Sequence, residues 1–269
     1  MKKLATVLVS AAAIMTMSTT AFAAENPAEV FDRVMEKNNT IQSAEIQSGV
    51  HSVILAKDVI PDGQMKVDMA MHAEMDMQDT TDLKYLAQVA SSILGQDSYS
   101  QVFYTDGYYY VDANGVKLKY PMPLEQIISS VQTGVNISNM ESSYMKGISL
   151  NEVNGKRVLA YEANPKKLNK NVKEALGTVM NTLGTDVNLD MNIQEMKGAY
   201  VLDDNDYIIY MTNYIVYNME VLDQPMTCIT LMETEVQNPG EPVVVTLPST
   251  DGYEDLIGLY DGVIESEVE

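Results

Sequence analysis

Two histidines, His51 and His72, and one cysteine, Cys228, are the side chains best suited to catalysis or metal binding in this chain. A zinc site draws three or four close nitrogen, sulfur or carboxylate ligands. Both histidines fall among polar positions, and no third histidine or neighbouring cysteine completes a set. They read as wet-face side chains, and no metal is expected. Cys228 sits in an alternating apolar run and reads as a small buried hydrophobe rather than a reactive thiol. No Gly-x-Ser-x-Gly elbow and no glycine-rich phosphate loop occur. Asp112-Ala113-Asn114-Gly115 and Asp203-Asp204-Asn205-Asp206 lack the glutamate that closes a twelve-residue calcium loop, so they read as turns. No enzyme and no cofactor are expected.

Lys166, Lys167, Lys170 and Lys173 crowd the start of a predicted helix, the end where the backbone dipole disfavours cations. They read as a solvated face, with contact to an anionic head group as the alternative. Tyr104, Tyr108, Tyr109 and Tyr110 read as cross-strand packing, with a sugar or peptide platform as the alternative.

The most distinctive pattern is apolar. Met65, Val67, Met69, Met71, Ala73, Met75 and Met77 alternate with Lys66, Asp68, Ala70, His72, Glu74 and Asp76. A period of two predicts a strand with one buried face. Methionine is a weaker strand former than valine or isoleucine, but it is unbranched and adaptable and suits surfaces that fit varied apolar partners. Met191, Met211 and Met219 recur at strand positions later in the chain. The candidate ligand-binding residues are therefore Met65, Val67, Met69, Met71, Met75, Met77, Met191, Met211 and Met219. Ordinary core packing is the competing reading of the same pattern. A groove so lined would gain about 0.8 kcal/mol for each acyl methylene it buries.

The elements that must position these residues follow from local signals. Met1-Lys2-Lys3, an apolar run from Leu4 to Met17, and Ala21-Phe22-Ala23 read as a secretory signal over residues 1–23. An uncleaved anchor is the alternative, though the run is shorter than the ~20 residues a span needs. No later stretch is long and apolar enough to cross a bilayer, and a secreted or cell-envelope location is expected. The formal net charge of −21, deepened by loss of Lys2 and Lys3 with the signal, argues against nucleic-acid and anionic-membrane partners.

Asn26-Pro27 and Asn164-Pro165 each pair a cap with a first-turn proline and open helices, the second running to about Leu183. Leu83, Leu86, Val89, Ala90, Ile93 and Leu94 fit a helix over 82–94, and Pro123 opens another to about Gln132. Asp106-Gly107, Asn114-Gly115 and Asn154-Gly155 are hairpin turns between short strands. Three long strands follow residue 186, with a bulge expected at Met196-Lys197-Gly198, and Val243 to Leu247 reads as a last short strand. Residues 249–269 are either a docked helix around Leu256 or a loose tail.

The stretches Tyr104-Thr105-Asp106-Gly107-Tyr108-Tyr109-Tyr110-Val111-Asp112, Gly115-Val116-Lys117-Leu118-Lys119-Tyr120-Pro121 and Asp203-Asp204-Asn205-Asp206-Tyr207-Ile208 sit in a layout of one N-terminal helix, a long antiparallel sheet and inserted helices. This layout resembles the LolA-like, LppX-like lipoprotein-carrier superfamily, and more closely its secreted Gram-positive members of uncharacterised role. The resemblance implies an α+β fold: a curved antiparallel sheet, or half-open β-barrel, with helices covering the concave face. It also implies a place for acyl chains or lipoproteins there. This chain lacks the cysteine near its cleavage site that tethers LppX-type members.

Residues 24–269 are expected to form one such domain, a monomer that binds a hydrophobic ligand or lipidated partner without catalysis. The alternative is an envelope protein-interaction or sensing module without a small ligand.

Overall fold

The computed structural model describes residues 25–56, 60, 62–79, 83–124, 140–170, 191–221 and 224–256. The signal-peptide reading, the helix from Pro123 to Gln132 past Leu124, the continuation of the Asn164 helix past Lys170, the strand positions Val187 and Leu189, and the tail past Leu256 lie outside these residues.

Asn26 caps the first helix as expected: its side-chain oxygen accepts from Ala28 N at 3.1 Å and its carbonyl from Val30 N at 3.0 Å. Helix α1, Pro27–Asn38, buries Val30, Phe31, Val34 and Met35 along one side. Asn164 caps in the same way, accepting from Lys166 N at 3.1 Å, and residues 165–170 are helical.

Among the described residues, twelve strands form one mostly antiparallel sheet: β1 (Ser43–Leu55), β2 (Gln64–Asp76), β3 (Lys84–Ile93), β4 (Gln96–Thr105), β5 (Tyr108–Ala113), β6 (Val116–Pro121), β7 (Met145–Val153), β8 (Lys156–Ala163), β9 (Asn192–Leu202), β10 (Ile208–Val221), β11 (Gln224–Gln237) and β12 (Glu254–Asp255). The order is β12-β6-β5-β4-β3-β2-β1-β11-β10-β9-β8-β7, open at both ends. The expected class, α+β on an antiparallel sheet that does not close into a barrel, is the one observed.

Two compact units divide the chain. The first takes the described residues of Met1–Asn38, Gly49–Asp68 and Asn139–Glu235; the second takes those of Asn39–Ser48, Met69–Ser138 and Val236–Glu269. In the first, α1 packs on Leu159, Tyr161, Tyr200, Leu202 and Ile208. In the second, Phe103 stacks on Tyr110 at 4.6 Å, with Tyr253 edge-on to both at 5.6 and 5.1 Å.

Three expectations need correction. Residues 82–94 do not form a helix. Lys84–Ile93 is β3, paired with β4 from Tyr85↔Tyr104 to Ile93↔Gln96. Leu86 packs in the Phe103 cluster, while Leu83 and Tyr85 pack in a second cluster with Ala44, Met75, Met77 and Tyr104. A strand buried on both sides loses its period of two, and here the leftover spacing mimics a helix. Leu94 and Gly95 then turn the chain with φ of 53° and 76°, the two-residue hairpin geometry also seen at 106–107, 114–115 and 154–155.

The bulge in β9 lies at Gln194, not at 196–198: Val216 faces Glu195 and Tyr217 faces Ile193. Residues 243–247 form no ladder. This extended segment is held by Val243 N donating to Ser43 Oγ at 3.1 Å and by burial of Val245, while Val244 is 89% exposed. Beyond it, the segment through Leu256 is docked, since Tyr253 is buried and Glu254–Asp255 pair parallel with β6.

The turn from β9 to β10 bolts α1 in place. Asp203 Oδ1 accepts from Asn205 N and Tyr207 N, each at 2.8 Å, so the acidic run is turn chemistry as expected. Asn38 donates to Val34 O at 2.8 Å and to Asp206 O at 3.0 Å, and accepts from Ile208 N at 2.9 Å. Arg33 Nε donates to Asp206 Oδ2 at 2.9 Å, and Arg157 Nη2 lies 2.6 Å from Oδ1.

Asn38→Ala should therefore destabilise the fold by about 1–3 kcal/mol, because it strands the Ile208 N–H in a buried place; urea unfolding reads this directly. A second expectation concerns pH. Burial alone would raise the Asp206 carboxyl, but Arg33 and Arg157 outweigh it and hold the group below its usual 3.8. A carboxyl depressed in the folded state stabilises the fold above its unfolded pKa, and that contribution is lost as pH falls through the folded value. Asp206→Asn should be the less stable protein at about pH 7, and its deficit should shrink below about pH 4. Urea midpoints compared across that range test it.

Candidate functional site

The register of the first unit lays its inward side chains out in rows. One row reads Ile148, Tyr161, Gly198, Asn213 and Met232 across β7, β8, β9, β10 and β11. The next reads Leu150, Leu159, Tyr200, Met211 and Thr234. Met196, Ile215 and Thr230 make a third, and Ser52 Oγ meets Thr230 Oγ1 at 2.9 Å, which carries that row onto β1. Tyr217 faces Cys228, and Met219 faces Met226.

Burial changes along these rows. On the β7–β9 side, Phe31 of α1 meets Tyr161 at 5.8 Å and Tyr200 at 6.2 Å, and those two rings stack at 5.2 Å. Phe31, Leu159 and Leu202 have essentially no exposed surface. On the β10–β11 side the apolar residues are only half-buried: Met211, Ile215, Tyr217, Met219, Met226 and Met232. Met65 and Val67, in the first half of β2, are half-buried too, between exposed Gln64, Lys66 and Asp68. Met191, just before β9, is also half-buried.

One polar bond crosses the buried part. Tyr161 Oη donates to Asn213 Oδ1 directly above Gly198. A Cβ on Gly198 would fall 2.5 Å from Thr212 O and Asn213 Oδ1 and 2.7 Å from Tyr161 Oη. Burial, foremost, pushes the Tyr161 hydroxyl well above its ordinary range and that of Tyr200 up to about 12, so both stay protonated donors. Asn213 is the residue that interrupts the apolar alternation of β10, and this bond is why a buried face tolerates it.

The remaining methionine candidates belong to the second unit. Met69 is 38% exposed and Met71 half-buried, while Met75 and Met77 are buried with Ala44, Leu83, Tyr104 and Val236. Lys166 and Lys170, in the first unit, are exposed; Lys167 Nζ donates to Ser143 O at 2.8 Å; Lys173 lies outside the described residues. The tyrosines pack across strands: Tyr104 is buried with its hydroxyl donating to Met122 O at 3.3 Å, Tyr109 packs on Tyr120 at 5.4 Å, and Tyr110 stacks on Phe103.

His51 and His72 do not meet. His51 Nδ1 lies 2.7 Å from Asp68 Oδ1, whereas His72 Nε2 lies 3.4 Å from Glu74 and 3.6 Å from Glu45. Among the described residues, no group of three or more His, Cys, Asp and Glu is arranged to hold a metal ion, and no helix is long and apolar enough to cross a membrane. Sequence reasoning passed over Met226 and Met232 as site residues, although their alternation with Cys228 and Thr230 was visible; only the register sets them opposite Met219 and Asn213.

Gly198→Ala should destabilise the first unit severely, by about 3 kcal/mol or more, since backbone must move. Tyr161→Phe should cost about 1–3 kcal/mol by leaving Asn213 short of its donor. Thermal unfolding followed by tyrosine fluorescence distinguishes the two.

Over residues 26–248 the chain matches the model of a family of unknown function, DUF6612, and it belongs to that family. No curated protein matches it. Among solved structures it is similar to LprF from Mycobacterium bovis, at 10% identity and a TM-score of 0.35, covering 83% of this chain and 97% of that one. It is also similar to the lipoprotein LppX from Mycobacterium tuberculosis, at 8% identity and a TM-score of 0.34, over 82% of this chain and 100% of that one. A β-barrel-like protein with a domain of unknown function, DUF1849, from Brucella abortus is similar at 11% identity and a TM-score of 0.24, over 74% of this chain and 100% of that one.

Proposed function

We propose that this member of the family binds an apolar ligand, an acyl chain, lipid or lipidated partner, without catalysis. The observation that carries the reading is the half-buried set Met65, Val67, Met191, Met211 and Met219 in the first unit. Met211 and Met219 stand on β10, whose register is set against β9 on the tightly packed α1 side of the same unit. Half-buried thioethers can change rotamer to fit an acyl chain, and each methylene they shield contributes about 0.8 kcal/mol. In the second unit, Met69, Met71, Met75 and Met77 are proposed as apolar contacts of that unit's own, Met69 and Met71 being the more open. Lys166, Lys167, Lys170 and Lys173 supply charge for an anionic head group.

On this reading residues 24–269 are one secreted or cell-envelope domain of the LolA-like type, monomeric, with its signal removed after Ala23. A second reading, a protein-interaction or sensing module without a small ligand, is favoured at one place only. There Met75 and Met77 are buried against Ala44, Leu83, Tyr104 and Val236.

Mass spectrometry of an organic extract of the purified mature protein should release acyl species. Titration with a fluorescent fatty acid should show binding that Met219→Glu or Met65→Glu weakens at least about tenfold, the effect of placing a charge where methylenes were shielded. Val116→Glu, at an exposed hairpin position, should leave binding unchanged. A protein that purifies empty and leaves the probe free rejects the carrier reading in favour of the module.

A further inference from the structure

A cluster of sulfur ligands sits at the far end of β10 and β11. Cys228 is 2% exposed, and its Sγ lies 3.8 Å from Met219 Sδ. Met226 is the direct cross-strand partner of Met219 and stands two residues before Cys228, so all three sulfur side chains leave the same side of the hairpin. The opposite partner of Cys228 is Tyr217, whose hydroxyl hydrogen-bonds the thiol, and among the described residues of β10 and β11 no carboxylate shares this face between Met219 and Thr230.

We infer that Cys228, Met219 and Met226 form a binding site for a soft monovalent metal ion, Cu(I). One thiolate and two thioethers are a soft donor set that favours Cu(I) over calcium or magnesium, and thioethers are not among the usual ligands of zinc. The spacing fits. Two sulfur ligands each bound at ~2.3 Å to one tetrahedral ion stand ~3.8 Å apart, so Cys228 and Met219 need little movement to share an ion. Met219 and Met226 are half-buried, so the two thioethers are partly open to solvent while the thiol is not.

The exchange is a simple one. The Cys228 S–H bond breaks, an S–Cu bond forms, the proton passes to water, and copper stays in the +1 state throughout. Until an ion arrives, burial pushes the Cys228 thiol up and keeps it protonated and unreactive. Of its three ligands only Met219 also belongs to the proposed apolar contacts.

The test is anaerobic titration of the mature protein with Cu(I) against a chromogenic Cu(I) chelator, with Ag(I) as a redox-inert second probe. One equivalent should bind. Met226→Leu and Cys228→Ala should each weaken binding at least about tenfold, a loss already seen when groups that merely orient a ligand are removed. Met232→Leu, opposite Asn213, should not weaken it. Met226→Leu conserves volume and leaves the fold intact, so its result stands even where Cys228→Ala loosens the core. Wild-type protein that fails to compete with the chelator, or a Met226→Leu variant with full affinity, overturns the site. Fatty-acid binding by Met226→Leu, measured in parallel, keeps this outcome separate from that of the carrier reading.

Discussion

Tyr161 reaches Asn213 across the bare Cα of Gly198, and the packing of the first unit is arranged around that crossing. Three strands contribute one residue each to the same row. Any side chain at 198 would push the tyrosine away and leave a buried amide unpaired. With the hydroxyl satisfied, the Tyr161 ring is free to stack on Tyr200 and receive Phe31 from α1. Helix docking, sheet register and polar satisfaction are thus one constraint, and it is met by the absence of a side chain.

The docked helix divides the face it covers. Beneath α1 the aromatic and branched side chains are close-packed and have little room to adapt. Away from it, on β10, β11 and the first half of β2, the apolar positions are held mostly by methionine and are only half-buried. Rigid packing fixes the strands, and the flexible thioethers ride on them. This division of labour is the structural character of the unit. It also brings the chain's only cysteine into sulfur contact with Met219, a juxtaposition set by the β10–β11 register.

Much of the fold was legible because local chemistry is strong where it is legible. Asn-Pro pairs cap helices, Asn-Gly and Asp-Gly pairs turn hairpins, and alternation marks strands with one buried side. The reading failed at β3, where Leu83 and Leu86 are buried in different clusters and the alternation cancels. It also failed at Leu94, which adopts a left-handed turn conformation that leucine seldom takes. The segment around Val245 misled for a related reason: its apolar residues are buried by aromatic neighbours, not by strand pairing.

The sequence by itself determined most of the strands, the Asn-Gly and Asp-Gly turns, the apolar face of β2 and the lack of any familiar catalytic motif, because each of these depends on neighbours a few residues away. Tertiary structure alone decided which methionines are packed and which are half-open, since Met75 and Met65 look alike in the sequence and differ only in what lies against them. It alone decided why Asn213 interrupts an apolar face and why residue 198 is glycine. Those answers depend on Tyr161, a residue far off in the chain and two strands away, and no local pattern encodes a contact at that distance.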